Sequence, residues 1–264
     1  MLKKLYKYDL KNLSKILLPF SITLVGAGVL CCLLFLLAGL VPESLKGLIM
    51  LPCILLIFGI FIGGIAGTLY PYLYYYQSFF TDKAYLTFVF PANIKTQLNA
   101  KILSGVTYVL VTTLAMIFSI FLAFFGLFFV SGNLSSLKDI FVSLKELFTL
   151  LTGFDSASLV LGSIYVVLTP FLQIMLVYTA ITLGSLLLSK HKIVGSIIFY
   201  FVTNWSVSIV RTIVSVIFKV PLANIDASVY TFISLLIELL LSVGIFVGTY
   251  FLSRHMLTNK LNLE

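Results

Sequence analysis

Charge is what this sequence has least of. Of 264 residues, 10% are Asp, Glu, Lys or Arg, against about 25% in soluble domains, which excludes an ordinary water-soluble fold. Histidine is nearly absent: His191 and His255 each stand beside basic residues. No His-Glu-x-x-His, Gly-x-Ser-x-Gly or pair of carboxylates occurs, so the constellations of intramembrane proteases and acyltransferases are missing. Cysteine is limited to Cys31, Cys32 and Cys53. Two are adjacent and none has ligand spacing, so they read as small apolar residues and not as a metal site. A G-x-x-x-x-G-K-[ST] sequence is also lacking; the glycine-rich run Gly63-Gly64-Ile65-Ala66-Gly67 has no lysine to reach a phosphate. The chain therefore reads as no enzyme in its own right and carries no cofactor.

What is abundant is apolar surface. Hydrophobic residues make up 61% of the chain, with 24 Phe and 14 Tyr, and the mean hydropathy is +1.16. Disordered chains are poor in these residues. Long uncharged runs predict an all-α membrane protein, a single domain over 1–264 with six transmembrane helices at about 16–40, 48–76, 102–130, 158–188, 193–217 and 229–253. Each is long enough at 1.5 Å per residue to cross a hydrocarbon core of about 30 Å. The first run is too long for a cleaved signal peptide, and no small-residue cleavage site follows it.

The few charges are unevenly placed. Lys3, Lys4, Lys7, Lys11, Lys15, Lys83, Lys95, Lys101, Lys190, Lys192, Arg254 and Lys260 fall on one side of this arrangement, and Lys46, Lys138, Lys145 and Lys219 on the other. That asymmetry predicts both termini in the cytoplasm. It also accounts for the net charge of +8 as a topology signal, so no nucleic-acid partner is implied.

Three segments outside the spans carry pattern. Residues 2–14 set Leu2, Leu5, Leu10 and Leu13 against Lys4, Lys7 and Lys11, which predicts an amphipathic interfacial helix over 1–14 on the anionic inner leaflet. Leu137, Ile140, Phe141, Leu144, Leu147, Phe148 and Leu151 recur at helical spacing, predicting an external amphipathic helix. The cytoplasmic loop from Asp82 through Tyr85, Leu86 and Phe88 to Pro91 exposes apolar residues. Proline ends the preceding segment, and Asn93 can open a helix running through Gln97 and Lys101 into the third span. This loop reads either as a docking element or as a turn packed on the headgroups.

Polar residues inside the spans are the other candidates. Glu238 lies about 13 Å into the sixth span by helix rise, where a carboxylate is expensive and faces protein or water. Three readings stand open: contact with a cargo, a salt bridge to Arg211, or a protonated carboxyl bonded to a hydroxyl. Asn204, Trp205 and Gln173 are weaker candidates. Gly59, Gly63 and Gly67 on the second span, and Gly244 and Gly248 on the sixth, repeat every four residues and read as helix-packing faces. Tyr70, Tyr72, Tyr74, Tyr75 and Tyr76 read as an interfacial belt, with Pro71 bending the helix.

Short motifs add a resemblance. Lys7-Tyr8-Asp9-Leu10-Lys11 with Lys15-Ile16-Leu17-Leu18-Pro19, then Asp82, Tyr85-Leu86-Thr87, Phe90-Pro91 and Lys101, and the tail Lys260-Leu261-Asn262-Leu263-Glu264 resemble the type-two permeases of ATP-binding-cassette transporters of low-GC Gram-positive bacteria. Phe90 departs from the pattern, where leucine is usual. The resemblance implies a six-span exporter subunit of the bacterial plasma membrane, paired with a second permease, identical or homologous, and with cytoplasmic ATPase subunits that hold ATP and Mg. It implies that the loop from Asp82 to Lys101 transmits ATPase closure, and that 206–228 supplies a short hairpin of external helices. A hydrophobic or amphipathic peptide, a lipid or a small amphiphile would suit the apolar interior as cargo. A non-transporting immunity or sensor subunit, or an unrecognised membrane enzyme, would fit the composition too.

Overall fold

The computed structural model describes residues 1–82, 84, 92–130, 156–219 and 226–259. They form six long helices: α1 (Leu2–Leu40), α2 (Glu43–Phe80), α3 (Ile94–Val130), α4 (Ser156–Leu187), α5 (Lys192–Lys219) and α6 (Ala227–Asn259), with one 3-10 turn at Ser189–His191. All six are long and apolar enough to cross a membrane. The chain is a multi-pass, all-helical membrane protein. In hydrocarbon only a helix or a closed barrel satisfies every backbone N–H and C=O, and this sequence takes the first solution.

Element ends follow the chemistry of the residues at them. Pro42 lacks an N–H and cannot continue α1; its carbonyl instead accepts the Leu45 amide at 3.0 Å as α2 opens. Asn93 opens α3, its carbonyl accepting the amides of Thr96 at 2.8 Å and Gln97 at 3.1 Å. The stretch 1–14 is continuous with the first span, since α1 runs unbroken over 39 residues. At 1.5 Å per residue that is about 58 Å, far more than a bilayer core. The buried positions of its first half are Asp9, Leu13 and Leu17, a face at four-residue steps set by packing within the protein. Likewise α5 is one helix through Lys219, so no external hairpin begins at 206. The predicted external helix over 137–151 and the tail 260–264 lie outside the described residues.

Contacts divide the chain into two units, residues 7–71 with 107–149 and residues 1–6 with 72–106 and 150–264. In the first, α1 and α3 meet backbone to backbone. A Cβ on Gly28 would sit 2.7 Å from the Ser119 carbonyl oxygen, and one on Gly126 would sit 2.6 Å from Cys32 Cα. The two contacts ascend together, so these helices run parallel. Gly63 lies against Leu24 and Gly67 against Phe20, which sets α2 antiparallel to α1. Cys31, Phe35, Cys53 and Ala123 form a buried cluster between them. Gly59, by contrast, has nothing within 4 Å.

In the second unit α4 is central, and both α5 and α6 pack on it far more than on each other. The α4–α5 hairpin closes over Gly184, whose Cβ would strike the α5 backbone at Ser196 Cα, 2.5 Å away. Tyr75 and Tyr178 stack with ring centroids 3.9 Å apart and planes 7° apart. Tyr75 Oη bonds Thr182 Oγ1 at 2.9 Å, and Tyr178 Oη donates to the Lys101 carbonyl at 3.3 Å. Tyr75 is fully buried, so the tyrosine run of α2 turns partly inward as a core and is not wholly an interfacial belt. The hydroxyls of Tyr75 and Tyr178 explain that choice: each finds a partner inside, which the hydrocarbon would deny it.

Candidate functional site

The charged centre of the second unit is built from three helices. Arg211 of α5 pairs with Glu238 of α6, Nη1 to Oε1 at 3.1 Å, and about a third of each side chain is exposed. Tyr165 of α4 donates its hydroxyl to the same Oε1 at 3.4 Å. Arg211 Nη2 reaches the hydroxyl of Ser242, one turn along α6, at 3.5 Å. By helix rise Arg211 stands about 12 Å before the end of α5, and Glu238 about 17 Å after the start of α6. An isolated charge inside a membrane-spanning helix is unfavourable. Pairing offsets that penalty, and of the three readings of Glu238 the structure brings together the one with Arg211.

The pair also ties the helices together: α5 and α6 pack on α4 far more than on each other, and Arg211, Glu238 and Tyr165 link all three. Arg211 Nε is buried and has no hydrogen-bond partner. Sequence reasoning missed Tyr165 and Ser242. Ser242 was legible as the residue four after Glu238, on the same helical face; nothing in the local sequence marks Tyr165.

The other candidates separate. Asn204 donates to the Tyr200 carbonyl of its own helix at 2.9 Å, which satisfies the amide locally. Gln173 is exposed, and Trp205 is 72% exposed on α5. Gly244 and Gly248 meet nothing within 4 Å, so among the described residues no helix packs on that face. Of the loop set, Tyr85, Leu86, Phe88 and Pro91 lie outside the described residues, while Asp82 is exposed. Gln97 and Lys101 are 3% and 5% exposed. Gln97 donates to the Ala92 carbonyl at 3.1 Å, and Lys101 Nζ lies 4.0 Å over the Tyr74 ring. These two side chains anchor the start of α3 inside the protein, Lys101 by a cation–π contact with the Tyr74 ring.

No protein-family model, curated protein or solved structure matches the chain.

Proposed function

We propose that the chain is the permease subunit of an ATP-driven exporter, working with ATPase subunits on separate chains and a second permease. Both termini lie in the cytoplasm of a bacterium and the cargo is a hydrophobic or amphipathic molecule. The observation that carries this reading is the order of the short motifs along a six-span chain: the Lys7–Lys11 and Lys15–Pro19 segments at the head, the Asp82–Lys101 segment between α2 and α3, and the tail. The start of α3 directly after Asn93 supports it, because a rigid helix rooted beside the loop can carry a push into the membrane. The absence of a P-loop sequence requires that the energy come from a partner.

Co-purification tests it. The tagged chain, extracted in mild detergent from the cells that natively make it, should bring down a P-loop ATPase, and vanadate-sensitive ATP hydrolysis should accompany it. Recovery of the intact chain without any ATPase, from cells in which it is functional, would remove the exporter reading and favour a non-transporting subunit.

A further inference from the structure

We infer that the lysine face at the start of α1 is a docking surface for an acidic patch on a water-soluble protein, with Lys3, Lys4 and Lys7 as the recognising groups. Under the permease reading, on which only the identity of the partner rests, that protein is an ATPase subunit.

Three observations lead there. First, the face carries one sign of charge. Lys3, Lys4, Lys7, Lys11 and Lys15 are all exposed, and at about 100° per residue they fall within an arc of about 120° on α1. Asp9 is the only acid before Glu43. It is buried on the opposite side of the helix with Leu13 and Leu17, so the stripe has no counter-charge on its own face. Holding a terminus on one side of a membrane needs lysines near it, not lysines along one face. Second, the helix carries part of the stripe past the lipid. The apolar run 16–40 is about 37 Å long and already exceeds the hydrocarbon core, so Lys15 stands at its edge. Along the axis Lys11 is about 6 Å beyond Lys15, Lys7 about 12 Å and Lys4 about 16 Å, against a headgroup layer of about 5–8 Å. At a tilt of about 40°, the top of the usual range, Lys7 and Lys4 still stand about 9 Å and about 13 Å out. Lys11 and Lys15 therefore meet phosphate, while Lys3, Lys4 and Lys7 face water. Third, the arm is not free to lie down. α1 continues as a helix through Pro19, and a flat course would need a break there. Leu13 and Leu17, which would hold an in-plane helix on the leaflet, are buried within the chain instead. What remains for a partner is a row of ammonium groups about one helical turn apart in water, complementary to carboxylates on a protein surface.

A fluorescein-labelled peptide of ten glutamates serves as the acidic probe. It is titrated with the purified chain in phosphatidylcholine nanodiscs, and binding is read by anisotropy at about 0.15 M salt, where the Debye length is about 8 Å. Changing Lys3, Lys4 and Lys7 together to Gln should weaken binding roughly tenfold, the loss expected for three exposed ion pairs. Lys11→Gln with Lys15→Gln should matter less than the triple change. Exchanging a quarter of the lipid for phosphatidylglycerol should leave wild-type binding within about threefold, because the three outer lysines stand beyond the reach of the phosphates. Circular dichroism checks that each variant keeps its helix content. Failure of the wild-type chain to bind the peptide overturns the inference, and so does binding that survives the triple change. Loss of binding in phosphatidylglycerol discs also overturns it, since the lysines would then rest on the headgroups and have lipid as their partner. If peptide binding holds while no ATPase co-purifies, the docking face stands and the permease reading falls, so the two fail separately.

Discussion

Replacing Gly126 by alanine should destabilise the protein, although the same change normally strengthens a helix. The new Cβ would fall 2.6 Å from Cys32 Cα, an atom of the α1 backbone that no side-chain rotation can move. Ordinary contact begins near 3.4 Å, so α1 and α3 must separate by roughly 1 Å over their upper halves, loosening the Cys31–Phe35–Cys53–Ala123 cluster. Overpacking of this kind costs about 1–3 kcal/mol, while glycine to alanine in a helix returns up to about 1 kcal/mol, for a net loss of about 1–2 kcal/mol. Gly244→Ala is the control. Nothing lies within 4 Å of that site, so the propensity gain should stand alone and the change should be neutral or stabilising by less than about 1 kcal/mol. Unfolding of the two purified variants and wild type in mixed micelles, followed by helicity against mole fraction of dodecyl sulfate, gives the comparison. A Gly126→Ala protein as stable as the Gly244→Ala protein would refute the backbone contact between α1 and α3.

Glu238→Gln and Arg211→Gln should each lower stability by about 1–2 kcal/mol, with a coupling near 1 kcal/mol in the double variant, since the pair is a third exposed and polar contacts in membranes are modest; strict additivity in the same unfolding assay would dissolve the pair. Single cysteines at positions 136 and 190, in a background without the native cysteines, should differ on intact cells: a membrane-impermeant maleimide should label 136 and spare 190, and labelling of 190 would invert the topology. Leu86→Asp with Phe88→Asp should leave insertion intact but abolish stimulation of a co-purified ATPase, because a carboxylate buried in a protein groove without a partner is strongly unfavourable; normal stimulation would take the loop out of the coupling path.

The spans were legible because hydrocarbon thickness and uninterrupted apolar runs leave little choice of helix position, and Asn93 opens α3 as its chemistry demands. Helix packing was less legible. The four-residue repeat pointed to Gly59, Gly63 and Gly67, yet the backbone contacts fall at Gly28, Gly126, Gly184 and Gly195. A close approach needs a single missing Cβ at the crossing point, and where two helices cross depends on tilts that no one span encodes. The Arg211–Glu238 pair was visible as two charges in apolar runs, because so few alternatives exist there. Tyr165 was not, since a tyrosine in a span is as much at home in a core as at an ion pair. At the N-terminal stretch, leucine and lysine faces describe a surface helix and an extension of a span equally well, and α1 runs through it without a break.

The salt bridge has an order of arrival. Arg211 leaves the ribosome 27 residues before Glu238, which at 5–20 residues per second is a delay of about 1–5 s. During that interval α5, whose apolar window has the lowest mean hydropathy of the six at 1.7, must settle in the bilayer with its arginine unneutralised. The burden is below the figure of about 2.5–3.5 kcal/mol for a helix centre, because Arg211 stands toward one end. The turn at Ser189–His191 and the close seat of Gly184 against Gly195 and Ser196 place α4 beside it at once, so the hairpin can enter as a pair, with the arginine reaching toward water until its counter-ion is made. Synthesis of α6 then completes the insertion of α5, and a chain halted between the two should keep α5 only loosely held.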